Sequence, residues 1–174
     1  MTPFARGGGV RPWRLGARTR KGFLVAHIAS AGTWIGIDVA MGVIVFTALF
    51  GDEETRALCY RALELFAVWP LIATGLVCLA SGVVLGLGTK WGLIRYWWVA
   101  VKLALNLVLC TLILIALQPG LGEIAQYGRD LAAGTATERD MSDLFFPPIV
   151  SLSALTFATI LSVAKPWGRL RKRG

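Results

Sequence analysis

The chain is poor in charge, holds a single histidine and only three cysteines, and each shortage removes a class of function. Only 16% of its 174 residues are charged while 56% are apolar, a balance outside the range of soluble domains. The lone His27 cannot supply the paired axial histidines of a four-helix membrane cytochrome. Met41 lies on the same helix, so it cannot complete the pair around one haem. Cys59, Cys78 and Cys110 form no CxxC or Cys/His cluster of the kind that holds zinc or iron–sulfur, and they read as small apolar residues. There is no P-loop, dinucleotide fingerprint, GxSxG or HExxH either. No cofactor, metal site or catalytic residue is therefore assigned.

What the chain does have is long apolar runs, over 22–50, 66–87, 97–117 and 146–165. Each approaches or exceeds the roughly 20 residues a helix needs to cross a hydrocarbon core of about 30 Å. The runs are continuously Leu/Ala/Val-rich, whereas barrel strands alternate over about ten residues. The expected fold is all-α: an integral membrane four-helix transmembrane bundle with helices near 22–50, 57–87, 97–117 and 146–165. Helical spacing over 55–65 extends the second helix outward. Pro70, Pro147 and Pro148 stand where helices begin, where the missing N–H has no intrahelical partner. The first run, about 29 residues, must tilt or extend past the bilayer. Flanking the domain (22–165) are a basic, Gly-rich leader over 1–21, expected to be disordered, and a basic tail over 166–174.

Charge sets the orientation, because cytoplasmic flanks are enriched in Lys and Arg. The leader, the middle connection with the start of the third helix, and the tail together carry 14 of the 18 basic residues. The other side receives Arg56, Arg61, Arg129 and Arg139 with nine of the ten acids. Both termini are thus placed in the cytoplasm (N-in/C-in) of a bacterial inner membrane, and the two acidic connections outside. Trp91, Trp97, Trp98 and Trp167 mark the inner interface; Trp69, Phe145 and Phe146 mark the outer one. The net charge of +8 then reflects topology and attraction to anionic lipid headgroups, not nucleic acid. Residues 19–24 resemble a twin-arginine export signal and Ala29-Ser30-Ala31 a cleavage site, but hydrophobicity continues to Phe50, so the segment is read as an uncleaved first helix.

In the connection over 118–144, Ile124, Tyr127 and Leu131 fall at i, i+3, i+7, the spacing of a short helix lying on the interface. Small-xxx-small stripes, Gly32 with Gly36 and Gly82 with Gly86, mark helix-packing faces, within the bundle or towards a second copy or a membrane partner subunit.

Ionisable groups inside a membrane are costly and mark function by default. His27 and Asp38 are eleven residues apart, which places them on one face about 16 Å apart along the helix, with Trp34 between them. Counting inward from the interfaces puts His27 level with Ser81, Lys102 and Ser162, and Asp38 level with Thr74, Thr111 and Ser153. Asn106 lies between the layers, at i+4 from Lys102. An unpaired carboxyl at the depth of Asp38 costs about 2–3 kcal/mol or more, so a polar partner on another helix is expected: Thr74, Thr111 or Ser153, or an arginine folding back from the second helix.

The first helix, Ala26-His27 followed by Thr33-Trp34-Ile35-Gly36, resembles the LHxxxxxxWxGG opening of a bacterial family of predicted integral membrane proteins of unknown function. Residues 88–102, from Gly88-Thr89-Lys90-Trp91 to Val101-Lys102, resemble the loop and third helix of its actinobacterial members. The opening is similar, more loosely, to copper-resistance membrane proteins. This chain lacks their additional histidines and Met-rich sets, and Ile37-Asp38 stands where the pattern continues with a second glycine. The resemblance implies a four-helix membrane protein and carries no activity. Three classes follow in order: a non-enzymatic accessory or self-associating membrane component, a small transporter or ion-conducting bundle using the His27/Asp38 face, and a metal- or redox-linked protein.

Overall fold

The computed structural model describes residues 15–88, 93, 96–137, 139 and 141–164. The far N-terminal leader, most of the basic middle connection with Lys90, Trp91 and Arg95, the acids Glu138 and Asp140, and the tail from Lys165 with Trp167 lie outside the described residues. What is described is helical almost throughout: α1 (Ala17–Phe50), α2 (Glu53–Phe66), α3 (Val68–Gly88), α4 (Trp97–Leu112), a π-helical turn (Ile113–Leu117), α5 (Gln118–Ala132), a 3-10 turn (Ser142–Phe145) and α6 (Phe146–Ala164). Four helical stretches are long and apolar enough to cross a membrane, Ala17–Phe50, Glu53–Gly88, Trp97–Ala132 and Asp143–Ala164, the build of a multi-pass membrane protein. Large apolar side chains such as Val43, Phe46, Leu76, Ile115 and Val163 cover the outward faces, which suits an apolar surrounding.

α1 starts at Ala17, five residues before the apolar run, because nothing in Ala17-Arg18-Thr19-Arg20-Lys21 breaks a helix. α2 is capped by Asp52, whose carboxylate accepts the Thr55 N–H at 2.9 Å. The Thr55 hydroxyl and backbone N–H hold that carboxyl below the usual aspartate range. A single residue, Ala67, joins α2 to α3, so the two form one nearly continuous stretch of 36 residues. At 1.5 Å per residue that is roughly 54 Å, well beyond a hydrocarbon core of about 30 Å.

The connection over 118–144 is largely helix. The π-helical turn explains why Pro119 does not end α4: Gln118 N–H bonds to the Ile113 carbonyl, five residues back, and the shifted register carries the chain past a residue that cannot donate. The helix expected over Ile124, Tyr127 and Leu131 is present, but it continues α4 and packs on α2 where a separate helix lying on the interface was expected. Leu121, Ala125, Gly128 and Leu131 are buried, the Tyr127 ring meets Tyr60 at 5.9 Å, and the apolar stripe of α5 packs on α2. Gly128 permits the approach, since a Cβ there would lie 2.9 Å from the Ala57 carbonyl oxygen. Arg129–Glu64 and Arg139–Glu123 ion pairs, at 3.2 and 3.0 Å, decorate this hairpin. We call its end of the bundle the distal end, and the end holding Leu15, Gly88 and Ala164 the proximal end.

The two glycine stripes differ in what they face. A Cβ on Gly32 or Gly36 would meet nothing within 4 Å. The buried face of α1 is Ser30, Trp34, Ile37, Asp38, Met41, Val45 and Ala48, and each stripe glycine sits two residues from Trp34, about 200° around the helix. Close approach to α1 occurs on α3, at Gly82 of the second stripe and at Gly75. A Cβ on Gly75 would lie 2.7 Å from the Trp34 ring and 2.9 Å from Cys110 Sγ, and one on Gly82 would lie 3.2 Å from His27 Cε1. Gly86 is crowded by Leu93 of the connection, not by another helix.

Candidate functional site

The eleven-residue interval between His27 and Asp38 turns both towards the bundle interior, at two separate levels. At the proximal level His27 Nδ1 lies 3.0 Å from the Cys78 carbonyl oxygen and 3.1 Å from Ser81 Oγ. A carbonyl only accepts, so Nδ1 carries the proton. The Ser81 hydroxyl is itself anchored on its own helix, donating to the Val77 carbonyl at 2.6 Å. Across the same level Lys102 Nζ donates to Ser162 Oγ at 2.6 Å and sits 5.4 Å from the Trp98 ring centroid. Asn106, one turn on, accepts from Cys110 Sγ at 3.6 Å. The four residues placed together by depth counting, His27, Ser81, Lys102 and Ser162, thus make two pairs, α1 to α3 and α4 to α6.

At the distal level Asp38 is about 1% exposed, and Ser151 of α6 donates to its Oδ2 at 2.6 Å. Asp38 does have a partner on another helix, but none of the three named candidates. The Thr74 hydroxyl is spent on the Pro70 and Leu71 carbonyls, and that of Thr111 on the Leu107 carbonyl. Ser153 is exposed. The error was rotational: Ser162 faces inward, and Ser153, nine residues away, is half a turn out of phase with it. Ser151, eleven residues from Ser162, is in phase and follows the buried stripe Pro148, Ser151, Leu155. That stripe was the available signal. No arginine folds back: among the described residues Asp38 has no ion pair.

Trp34, fully buried, fills the interval between the two levels. Its ring rests where only a glycine, Gly75, leaves room, and its Nε1 is buried without an acceptor. Among the described residues no group of three or more His, Cys, Asp or Glu side chains converges.

Asp38 and Ser151 stand at the inner end of a cavity of about 450 Å³, a size within the range of small-molecule pockets. Its floor is α1, with Met41 and Val45, backed by Leu63 and Leu71. One wall is the α4–α5 stretch, where Leu109, Ile113, Ala116 and Gly120 follow each other through the π-helical turn. π turns inside α-helices recur at functional sites, because the extra residue re-aims the side chains around it. The other wall is Phe146, Pro147 and Val150 of α6. Leu112, Ala116, Phe146 and Val150 are exposed as well as lining, so the cavity opens between the α4–α5 stretch and α6. Its distal rim is polar: Glu123, Arg139 and Asp143. Sequence reasoning missed this cavity because its walls are ordinary Leu, Ile, Val and Met.

Comparison with protein-family models, with curated proteins and with solved structures finds no match to this chain.

Proposed function

We propose that the chain is a non-enzymatic multi-pass protein of the bacterial cytoplasmic membrane that holds a small, predominantly apolar molecule in the cavity next to Asp38. The single observation that carries this is the pairing of a buried carboxyl and hydroxyl with otherwise apolar walls. Apolar lining with a few convergent polar groups is the common build of a ligand pocket. Both termini face the cytoplasm in this reading, which rests on the 14 basic residues at the proximal end and its flanks. The cavity rim and the α2–α5 hairpin then face outward. The resemblance of Ala26-His27 and Trp34-Ile35-Gly36 to a bacterial membrane-protein family fits this placement.

The test is binding of 4-phenylbutanol, a neutral apolar probe smaller than the cavity, to the protein in lipid nanodiscs. Ala116→Trp places an indole at the mouth and is expected to weaken binding at least tenfold. Unchanged binding by that variant speaks against the cavity.

A second reading, self-association or docking of a membrane partner subunit, is favoured by Gly32 and Gly36, whose open face leaves a second helix room to approach closely. Conduction along the His27/Asp38 face has weaker support, because Trp34 blocks a continuous polar path between the two levels in this conformation.

A further inference from the structure

The charge around the cavity does not balance. Among the described residues three carboxyls line it, Asp38, Glu123 and Asp143, against one guanidinium, Arg139, which is already paired with Glu123. At the rim this imbalance is of little consequence, since Glu123 and Asp143 are exposed and solvated. At the inner end it matters. Asp38 is about 1% exposed, lies among Met41, Leu71 and Ile113, and receives one hydroxyl hydrogen bond with no base beside it among the described residues. A carboxylate accepts through both oxygens, at about four lone-pair sites, so Ser151 leaves capacity unused. Buried charges are ordinarily paired, and nothing described in the chain pairs this one.

We infer that the occupant of the cavity is a lipophilic organic cation, an amine whose ammonium N–H donates to Asp38 while its hydrocarbon body lies along Met41, Leu109 and Ile113. This deepens the cavity reading and rests on it. The apolar walls reject small hydrated ions such as sodium, which find no set of oxygen ligands at Asp38 among the described residues. Charge at Asp38 and apolar area along the walls act on opposite ends of one molecule, so neither a metal ion nor an uncharged hydrocarbon uses the whole site.

The experiment compares 4-phenylbutylamine with 4-phenylbutanol, nearly equal in shape, against the full chain in phosphatidylcholine nanodiscs, with empty nanodiscs subtracted. The amine is expected to bind at least tenfold more tightly than the alcohol. Asp38→Asn is expected to abolish that preference while leaving the alcohol's affinity within twofold, and Glu123→Gln at the rim is expected to retain it. Equal affinities in the unmodified chain overturn the inference, and that comparison needs no variant to fold. A preference that survives Asp38→Asn, or one that disappears with Glu123→Gln, overturns it too, by placing the cation elsewhere. Binding of both compounds without discrimination defeats only the cation, whereas no binding of either defeats the cavity reading beneath it.

Discussion

Trp34→Ala is expected to destabilise the bundle by about 3 kcal/mol, whereas Gly32→Ala and Gly36→Ala on the same helix are expected to be neutral or stabilising by up to about 1 kcal/mol. Trp34 is fully buried between α1 and α3, with its ring against Gly75. In lipid the transfer contribution is largely absent, since the tails are as apolar as the core, but the void and the lost dispersion contacts remain. Removing an indole leaves on the order of 140 Å³, which at about 24 cal/mol per Å³ gives the figure above. The stripe glycines have open space where a methyl group would go, so alanine there adds helix propensity without a clash. Gly75→Ala, by contrast, should cost about 1–3 kcal/mol, because its Cβ would fall 2.7 Å from the Trp34 ring. Reversible unfolding in detergent, read for the four variants side by side, checks the ranking. A large loss at Gly36 with none at Gly75 would reverse the assignment of the packing face.

The second large effect is expected at the Asp38–Ser151 pair, and its signature is non-additivity. Ser151→Ala removes the hydroxyl that meets a carboxyl exposed by only 1%, and should cost about 1–3 kcal/mol. Adding Asp38→Leu to that variant should recover most of the loss, because a pair replaced on both sides by apolar groups leaves nothing unsatisfied. Ser153→Ala, exposed on the opposite face of α6, serves as the control with no effect beyond about 0.5 kcal/mol. Losses that simply add across the double variant would show that the two groups do not interact.

The number and order of the long apolar helices were legible in the sequence because a 20-residue apolar run has few alternatives. So was the proximal level: His27, Ser81, Lys102 and Ser162 were brought together by depth alone. What depth counting could not supply was rotation. Ser153 and Ser151 differ by about 3 Å along the axis and about 200° around it, and only the second coordinate decides which meets Asp38. The same omission left the partner of Gly32 and Gly36 open: their spacing is that of a packing motif, and their phase, relative to Trp34 and Asp38, turns them away from the bundle interior. A helix over Ile124, Tyr127 and Leu131 was legible from their spacing, but its continuity with α4 was lost for a different reason. Pro119 and Gly120 are ordinary helix terminators, and the π-helical turn that carries the chain through them leaves no mark in composition. The cavity left no mark either, because its walls are ordinary Leu, Ile, Val and Met.

The measurement that bears most directly on the account is labelling of Gly120→Cys on intact cells, in a background with Cys59, Cys78 and Cys110 replaced by serine. Gly120 lines the cavity, and a Cβ there meets nothing within 4 Å, so a cysteine is accommodated at the site. A membrane-impermeant maleimide is predicted to label it without lysis, and saturating 4-phenylbutanol is predicted to slow that labelling at least tenfold. Labelling that requires lysis would contradict the outward orientation, and an unchanged rate in the presence of the probe would contradict the cavity as the working site.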